Sequence, residues 1–202
     1  VSFRIFTYYT ENTPYEQEAD NLQRDCERLK IAFEKFAVPS TGEWVENTMI
    51  KPTQISVALD CFSSSNIVWI DADARIKSYP HIFDEYENDG IDFSVFQMGS
   101  QKRVTSGTIF MRNVPKVREF IHDWRLECRQ CMDRIGDQHC LRKLIKREGY
   151  KKYDIKYRSL PYSYCYIFDD SLRRLAPNIP PLEGEPVVVH TQASRKYRNK
   201  KL

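Results

Sequence analysis

A chain of 202 residues with 41% hydrophobic and 29% charged residues is long enough to bury one substantial core, and its composition is that of an ordinary soluble domain. The formal net charge of +3 is too small to argue for a nucleic-acid partner, and no stretch approaches the ~20 apolar residues of a membrane span. Six scattered cysteines, Cys26, Cys61, Cys128, Cys131, Cys140 and Cys165, lack framework spacing and suit free thiols in a reducing, cytoplasmic compartment.

No signal peptide is expected before Phe3, and a start at Val1 rather than Met leaves open lost residues or further domains. The segment Phe3-Arg4-Ile5-Phe6-Thr7-Tyr8-Tyr9 reads as a first strand, ending in the polar loop Thr10 to Pro14. Leu22, Cys26, Leu29, Phe33 and Phe36 recur at spacings of four and three, which predicts one face of a single long helix. Pro39-Ser40-Thr41-Gly42 breaks it. Pro52 is placed to open a second helix, burying Ile55, Leu59 and Phe62 and stopping at Ser63-Ser64-Ser65. The β-branched and aromatic run Ile67-Val68-Trp69-Ile70 predicts a buried strand.

After Tyr79-Pro80 come a short helical piece around Ile82 and Phe83, an alternating strand from Ile91 to Phe96, and a strand from Thr108 to Met111. Val117, Ile121, Trp124 and Cys128 share a helix face, and another helix starts at Asp137, carries Leu141, Leu144 and Ile145, and ends at Gly149. The aromatic, proline-rich last third holds a final strand, Val187 to Val189, and Pro177 to Pro186 reads as a crossing loop. Strands alternating with helices predict one α/β domain over residues 1–202 with a largely parallel sheet.

Directly behind the Ile67 run stands Asp71-Ala72-Asp73. In extended backbone, residues i and i+2 point to one side, roughly 6–7 Å apart. Two facing carboxylates at a strand end call for a cation, and oxygen ligands favour Mg²⁺ or Mn²⁺, ions that also hold phosphate. Cys128, Cys131, His139 and Cys140 imitate zinc-ligand spacing, but the first pair sits in an amphipathic helical pattern, where cysteines are usually core residues. The basic stretch from Arg142 to Arg158 and the tail from Arg195 to Lys201 read as a solvated face and end, or more sharply as a positive rim for an anionic substrate.

Lys51-Pro52, Val68-Trp69-Ile70-Asp71-Ala72-Asp73-Ala74, Ser106-Gly107-Thr108, Gly136-Asp137-Gln138 and His190 together resemble the GT-A glycosyltransferases, which use nucleotide sugars. The likeness runs from the Phe3 strand to His190. It implies a Rossmann-like nucleotide-diphospho-sugar transferase fold in which Asp73 coordinates Mn²⁺ (or Mg²⁺) on the donor diphosphate. Asp71 would reach the ribose and the metal, and His190 would be a third ligand, favouring Mn²⁺. Thr7, Tyr8 and Tyr9 are candidates for gripping the nucleotide, Lys51 and Gln54 for the base or ribose, and Ser106-Gly107 for close approach to the donor sugar. Asp137 would face the acceptor, as general base or in positioning, or act only as a helix N-cap; His190 has the alternative of a satisfied strand-end histidine. Arg75 would touch a phosphate, or pair with Asp84 or Glu85.

The resemblance implies transfer of a hexosyl or deoxyhexosyl group, UDP-glucose by default and rhamnose as the alternative, to a glycan or glycoprotein acceptor. Tyr162, Tyr164, Tyr166 and Asp169 either line the acceptor groove or pack. One rival is a haloacid-dehalogenase-type phosphatase with Asp71 as nucleophile and Asp169-Asp170 as its metal-holding pair; Ala74 and the long segment before the motif speak against it. Another is a noncatalytic carbohydrate- or nucleic-acid-binding module.

Overall fold

The computed structural model describes residues 3–98, 103–131, 136–175, 179 and 181–197. Strand β1 (Phe3–Thr10) is buried almost throughout, because it runs inside the main sheet with parallel neighbours on both sides. Helix α1 (Tyr15–Arg28) buries Ala19, Leu22 and Cys26. The single long helix expected through Phe36 is not formed. Lys30 adopts a left-handed φ of 57°, its amide donates to the Glu27 carbonyl, and the Ile31 amide donates to the Cys26 carbonyl. That paired closure is a Schellman motif, built here without glycine. The chain then enters β2 (Phe33–Val38), which pairs with β1 from Ile5 opposite Phe33 to Thr10 opposite Val38.

Helix α2 (Trp44–Met49) leads into α3 (Lys51–Cys61), which carries Pro52 in its first turn and buries Ile55, Ala58 and Leu59. Strand β3 (Asn66–Ile70) is buried at every residue, and a turn delivers the chain to β4 (Ala74–Ile76). Helix α4 (Ile82–Asn88) precedes β5 (Phe93–Met98) and β6 (Arg103–Met111). The five-stranded sheet has the order β2-β1-β3-β6-β5. Four of its strands run the same way, since β6 is antiparallel to both β3 and β5. The largely parallel sheet is therefore present, with one reversed member.

Helices α5 (Pro115–Gln130) and α6 (Asp137–Arg147) pack beside α3 on one face. Strand alternation sorts the core: Phe6, Trp69 and Ile109 join Leu59, Trp124 and Leu144 on that face, while Ile5, Val68 and Phe110 join Leu22, Phe83 and Tyr164 on the other. Further on come β7 (Tyr166–Ile167), α7 (Ser171–Leu175), β8 (Val188–His190) and α8 (Ser194–Tyr197). The expected last strand does not extend the main sheet. It forms a second, three-stranded sheet of order β4-β8-β7.

Part of the expected crossing loop (177, 178 and 180) and the basic tail beyond Tyr197 lie outside the described residues. Lys146, Arg147 and Lys151 are exposed, as a solvated face requires. Among the described residues no helix is long and apolar enough to cross a membrane. Phe110 is fully buried, stacked on Phe83 at 5.9 Å and edge-on to Tyr86 at 5.6 Å. Phe110→Ala is expected to cost about 3–5 kcal/mol, measured as the loss of unfolding free energy in urea.

Candidate functional site

The acid pair does not lie in extended backbone. The Ala74 amide donates to the Asp71 carbonyl at 2.9 Å, closing a tight turn, so the same-side argument does not describe how the two carboxylates meet. Asp71 closes the main sheet, its amide donating to the Gly107 carbonyl at 2.8 Å. Asp73 opens the second sheet, where its carbonyl accepts from the Thr191 amide (3.1 Å) and hydroxyl (2.8 Å), and its carboxylate accepts from the Ala193 amide at 2.8 Å. Pairing of β4 with β8 sets His190 opposite Ala74. The seam between the sheets thus gathers Asp71, Asp73 and His190, with one ligand atom from each lying within 4.8 Å of the others.

The chemistry of these donors fits a divalent cation. Burial, then the neighbouring Asp71 carboxylate, pushes the Asp73 carboxyl up to about 7; a cation between the two acids would reverse that repulsion. Burial, helped by the Lys51 ammonium and opposed by Asp71, lowers the His190 imidazole from its ordinary value. Neutral imidazole is the form that ligates metals. Thr108 Oγ1 lies 3.0 Å from His190 Nε2, and when it accepts the Nε2 proton, Nδ1 is left as the bare ligand atom.

Gly107 explains itself here. A Cβ at that position would stand 2.6 Å from His190 Cε1, 3.0 Å from Nδ1 and 3.2 Å from Asp71 Oδ2. The glycine therefore makes room for the Asp71 and His190 side chains themselves.

Asp71 faces two ways. Its Oδ2 turns toward Gly107 and His190, while its Oδ1 accepts from Trp69 Nε1 at 2.9 Å and from the Lys51 ammonium at 3.0 Å. Lys51, only 5% exposed, also meets Asp137 Oδ2 at 2.9 Å and the Ser106 carbonyl and hydroxyl at 3.2 Å. The Ser106 hydroxyl donates to Asp137 Oδ2 at 2.7 Å. Burial works against the charged ammonium, but Asp137 and Asp71 outweigh it and hold Lys51 above the usual lysine range. Asp137 opens α6 yet makes no side-chain cap bond, and the N-cap position belongs to Gly136 at φ 104°. The capping alternative for Asp137 is thereby set aside.

A cavity of about 360 Å³ lies over this network, walled by Tyr8, Tyr9, Tyr15, Trp44, Asn47 and Thr48 as well as by Lys51, Asp71, Asp73, Ser106 and Asp137. A second cavity of about 440 Å³ takes Gly107, His190 and Cys165 into its wall and shares Asp71, Gln138 and Gln192 with the first. Thr7 is fully buried within the sheet, and neither Thr7 nor Gln54 lines either cavity. Tyr15, Trp44 and Asn47 were not anticipated; the short helix α2 bears two of them and has too few residues to announce itself by periodicity.

Arg75 pairs with Asp25 at 2.9 Å, not with Asp84 or Glu85, and lines neither cavity. Asp169 pairs with Arg195 and Asp170 with Arg173, away from the role the phosphatase alternative requires. Tyr162 and Tyr164 are buried and packed, Tyr162 donating to Asp170 at 2.6 Å. Cys140 packs against Met49, Sγ to Sδ 3.9 Å, within the same core cluster as Cys128.

The fold is that of the GT-A-type glycosyltransferases. The chain belongs to the nucleotide-diphospho-sugar transferase family, whose pattern matches residues 70–202, a span that holds the acid pair, Ser106-Gly107, Asp137 and His190. Among solved structures it is similar to a glycosyltransferase involved in glycosylation of the major capsid of PBCV-1, with a TM-score of 0.71 at 14% identity over 98% of this chain and 97% of that one. It is also similar to the glycosyltransferase GlyE of Streptococcus pneumoniae TIGR4, with a TM-score of 0.63 at 14% identity, 99% of this chain matching 57% of the longer GlyE chain. Mouse xyloside xylosyltransferase 1 matches with a TM-score of 0.54 at 9% identity, over 96% of this chain and 99% of that one. At these identities the likeness carries the fold alone. No curated protein sequence matches the chain significantly.

Removing the central ammonium should be costly. Lys51→Met leaves the buried Asp137 carboxylate without its cation; Asp71, a third exposed, is better relieved by solvent. The expected loss is about 3 kcal/mol, read from urea unfolding monitored by tryptophan fluorescence.

Proposed function

We propose that this protein, acting as one catalytic domain over residues 1–202, transfers a hexosyl or deoxyhexosyl group from a nucleotide-diphosphate sugar to a hydroxyl of a glycan or glycoprotein. UDP-glucose is the first candidate donor and rhamnose the alternative. The observation that carries this is the convergence of Asp71, Asp73 and His190 at the meeting of the two cavities. A viral capsid glycan is the acceptor we favour, supported only by the fold shared with the PBCV-1 enzyme. Free cysteines support a reducing, cytoplasmic setting, that of the host if the protein is viral.

In this reading the first cavity takes the nucleotide. Its aromatic wall of Tyr8, Tyr9, Tyr15 and Trp44 suits the face of a base. Asp71, Asp73 and His190 would hold a divalent cation, and the imidazole favours Mn²⁺ over Mg²⁺. Such an ion neutralises charge on the departing diphosphate. The bond between anomeric carbon and diphosphate breaks with its electron pair leaving on the phosphate oxygen; the acceptor oxygen bonds to that carbon and yields its proton to a base or phosphate oxygen.

Lys51 and Ser106 both donate to Asp137 Oδ2, which fixes the plane of that carboxylate and aims it without further ordering cost. Asp137 lines the first cavity and not the second, which supports a role in holding donor-sugar hydroxyls over one as the acceptor's base.

Calorimetric titration of UDP with and without Mn²⁺, followed by a donor panel including UDP-glucose, UDP-xylose and UDP-rhamnose, tests the reading. UDP binding that ignores Mn²⁺ would count against it. Asp73→Ala should retain cooperative melting while Mn²⁺-dependent transfer falls on the order of 10²-fold or more. Gly107→Ala should push the imidazole out of place and weaken Mn²⁺ binding about 10–100-fold, followed by titration of the metal alone.

A further inference from the structure

The second cavity has a chemistry of its own. Arg103, at the start of β6, and Arg142, on α6, both line it, with His139 beside them and a partly apolar wall that includes Ile167 and Leu172. Among the described residues the one acidic side chain on that wall is Asp71, which Lys51 already meets at 3.0 Å. Elsewhere on the molecule Arg28, Arg75, Arg118, Arg147, Arg158 and Arg195 pair with carboxylates, Arg24 and Arg125 with neutral side chains, and Arg4 lies over the Phe62 ring. Among the described residues neither Arg103 nor Arg142 is in an ion pair, although Arg142 is half-buried.

A half-buried guanidinium without an acid partner loses hydration without gaining a counter-charge, and Arg142 does so facing a cavity. Arg142 also stands one helical turn beyond Gln138, which borders both cavities, so α6 presents the two side chains on one face. Arg103 reaches the same space from a different element. Two guanidinium forks from separate supports suit bidentate recognition of a phosphate or carboxylate.

We propose that the second cavity is the acceptor subsite and that it selects a glycan bearing an anionic substituent, phosphate or carboxylate, gripped by Arg103 and Arg142. The hydroxyl to be glycosylated then lies along the wall formed by Gly107 and His190, facing the shared border with the first cavity. This inference rests on the glycosyl-transfer reading for its direction, and on the lining of the cavity for its chemistry.

The test titrates the full chain, with UDP and Mn²⁺ present, against four probes by NMR: methyl glucoside, glucose 6-phosphate, glucuronate and inorganic phosphate. A charged sugar should bind about tenfold or more tightly than methyl glucoside in low salt, with affinity falling as salt rises. Glucose 6-phosphate exceeding glucuronate assigns a phosphate, and the reverse order a carboxylate. The double variant Arg103→Gln, Arg142→Gln should erase that preference while the melting temperature and UDP affinity stay put. Equal binding of charged and neutral sugars, or a preference that survives the double variant, overturns the proposal. If UDP binds with Mn²⁺ and no charge preference appears, this proposal falls alone. If UDP does not bind but the arginine-dependent preference remains, the glycosyl-transfer reading falls and the anion site stands.

Discussion

A lysine ammonium buried to 5% exposure is the constraint around which the site is built. Taking a charge that far from water costs several kcal/mol unless opposite charges and hydrogen bonds accompany it. Asp71, Asp137 and Ser106 supply them. These partners come from the end of β3, the start of α6 and the body of β6, while Lys51 itself opens α3. Four elements are therefore held to one arrangement, and the carboxylates are oriented before any substrate arrives.

Asp71 is the hinge of this arrangement because its two oxygens serve different neighbours. One belongs to the lysine and Trp69, the other to the side where Gly107 leaves space for His190. The electrostatic network and the candidate metal centre are thus mechanically one object. Asp73, tied to the Thr191 and Ala193 amides, couples it in turn to the small second sheet.

Much of this was legible in the residues. The apolar run ending at Asp71, the amphipathic faces of α5 and α6, and the pairing of an acid motif with a late strand-end histidine survive almost unchanged. What was not legible has physical causes. Leu22 to Phe36 keep helical spacing across a helix, a Schellman closure and a strand, because the residue that takes the left-handed position is Lys30 and no glycine marks the stop. The acids meet through a turn instead of along a strand, which periodicity does not distinguish. Nothing in the sequence around Lys51 marks it as buried; only the tertiary fold brings it to the two carboxylates that it pairs with. Thr7 and Gln54 are near in sequence to wall residues but do not reach the cavity, whereas Trp44 and Asn47, on a six-residue helix, do.

The pairing of β4 with β8 joins residues at opposite reaches of the chain: Ala74 to Ile76 against Val188 to His190. In a growing polypeptide both acids are synthesised long before the histidine. Until then the candidate ligand set is incomplete, so the proposed metal centre is assembled only by residues made late in the chain.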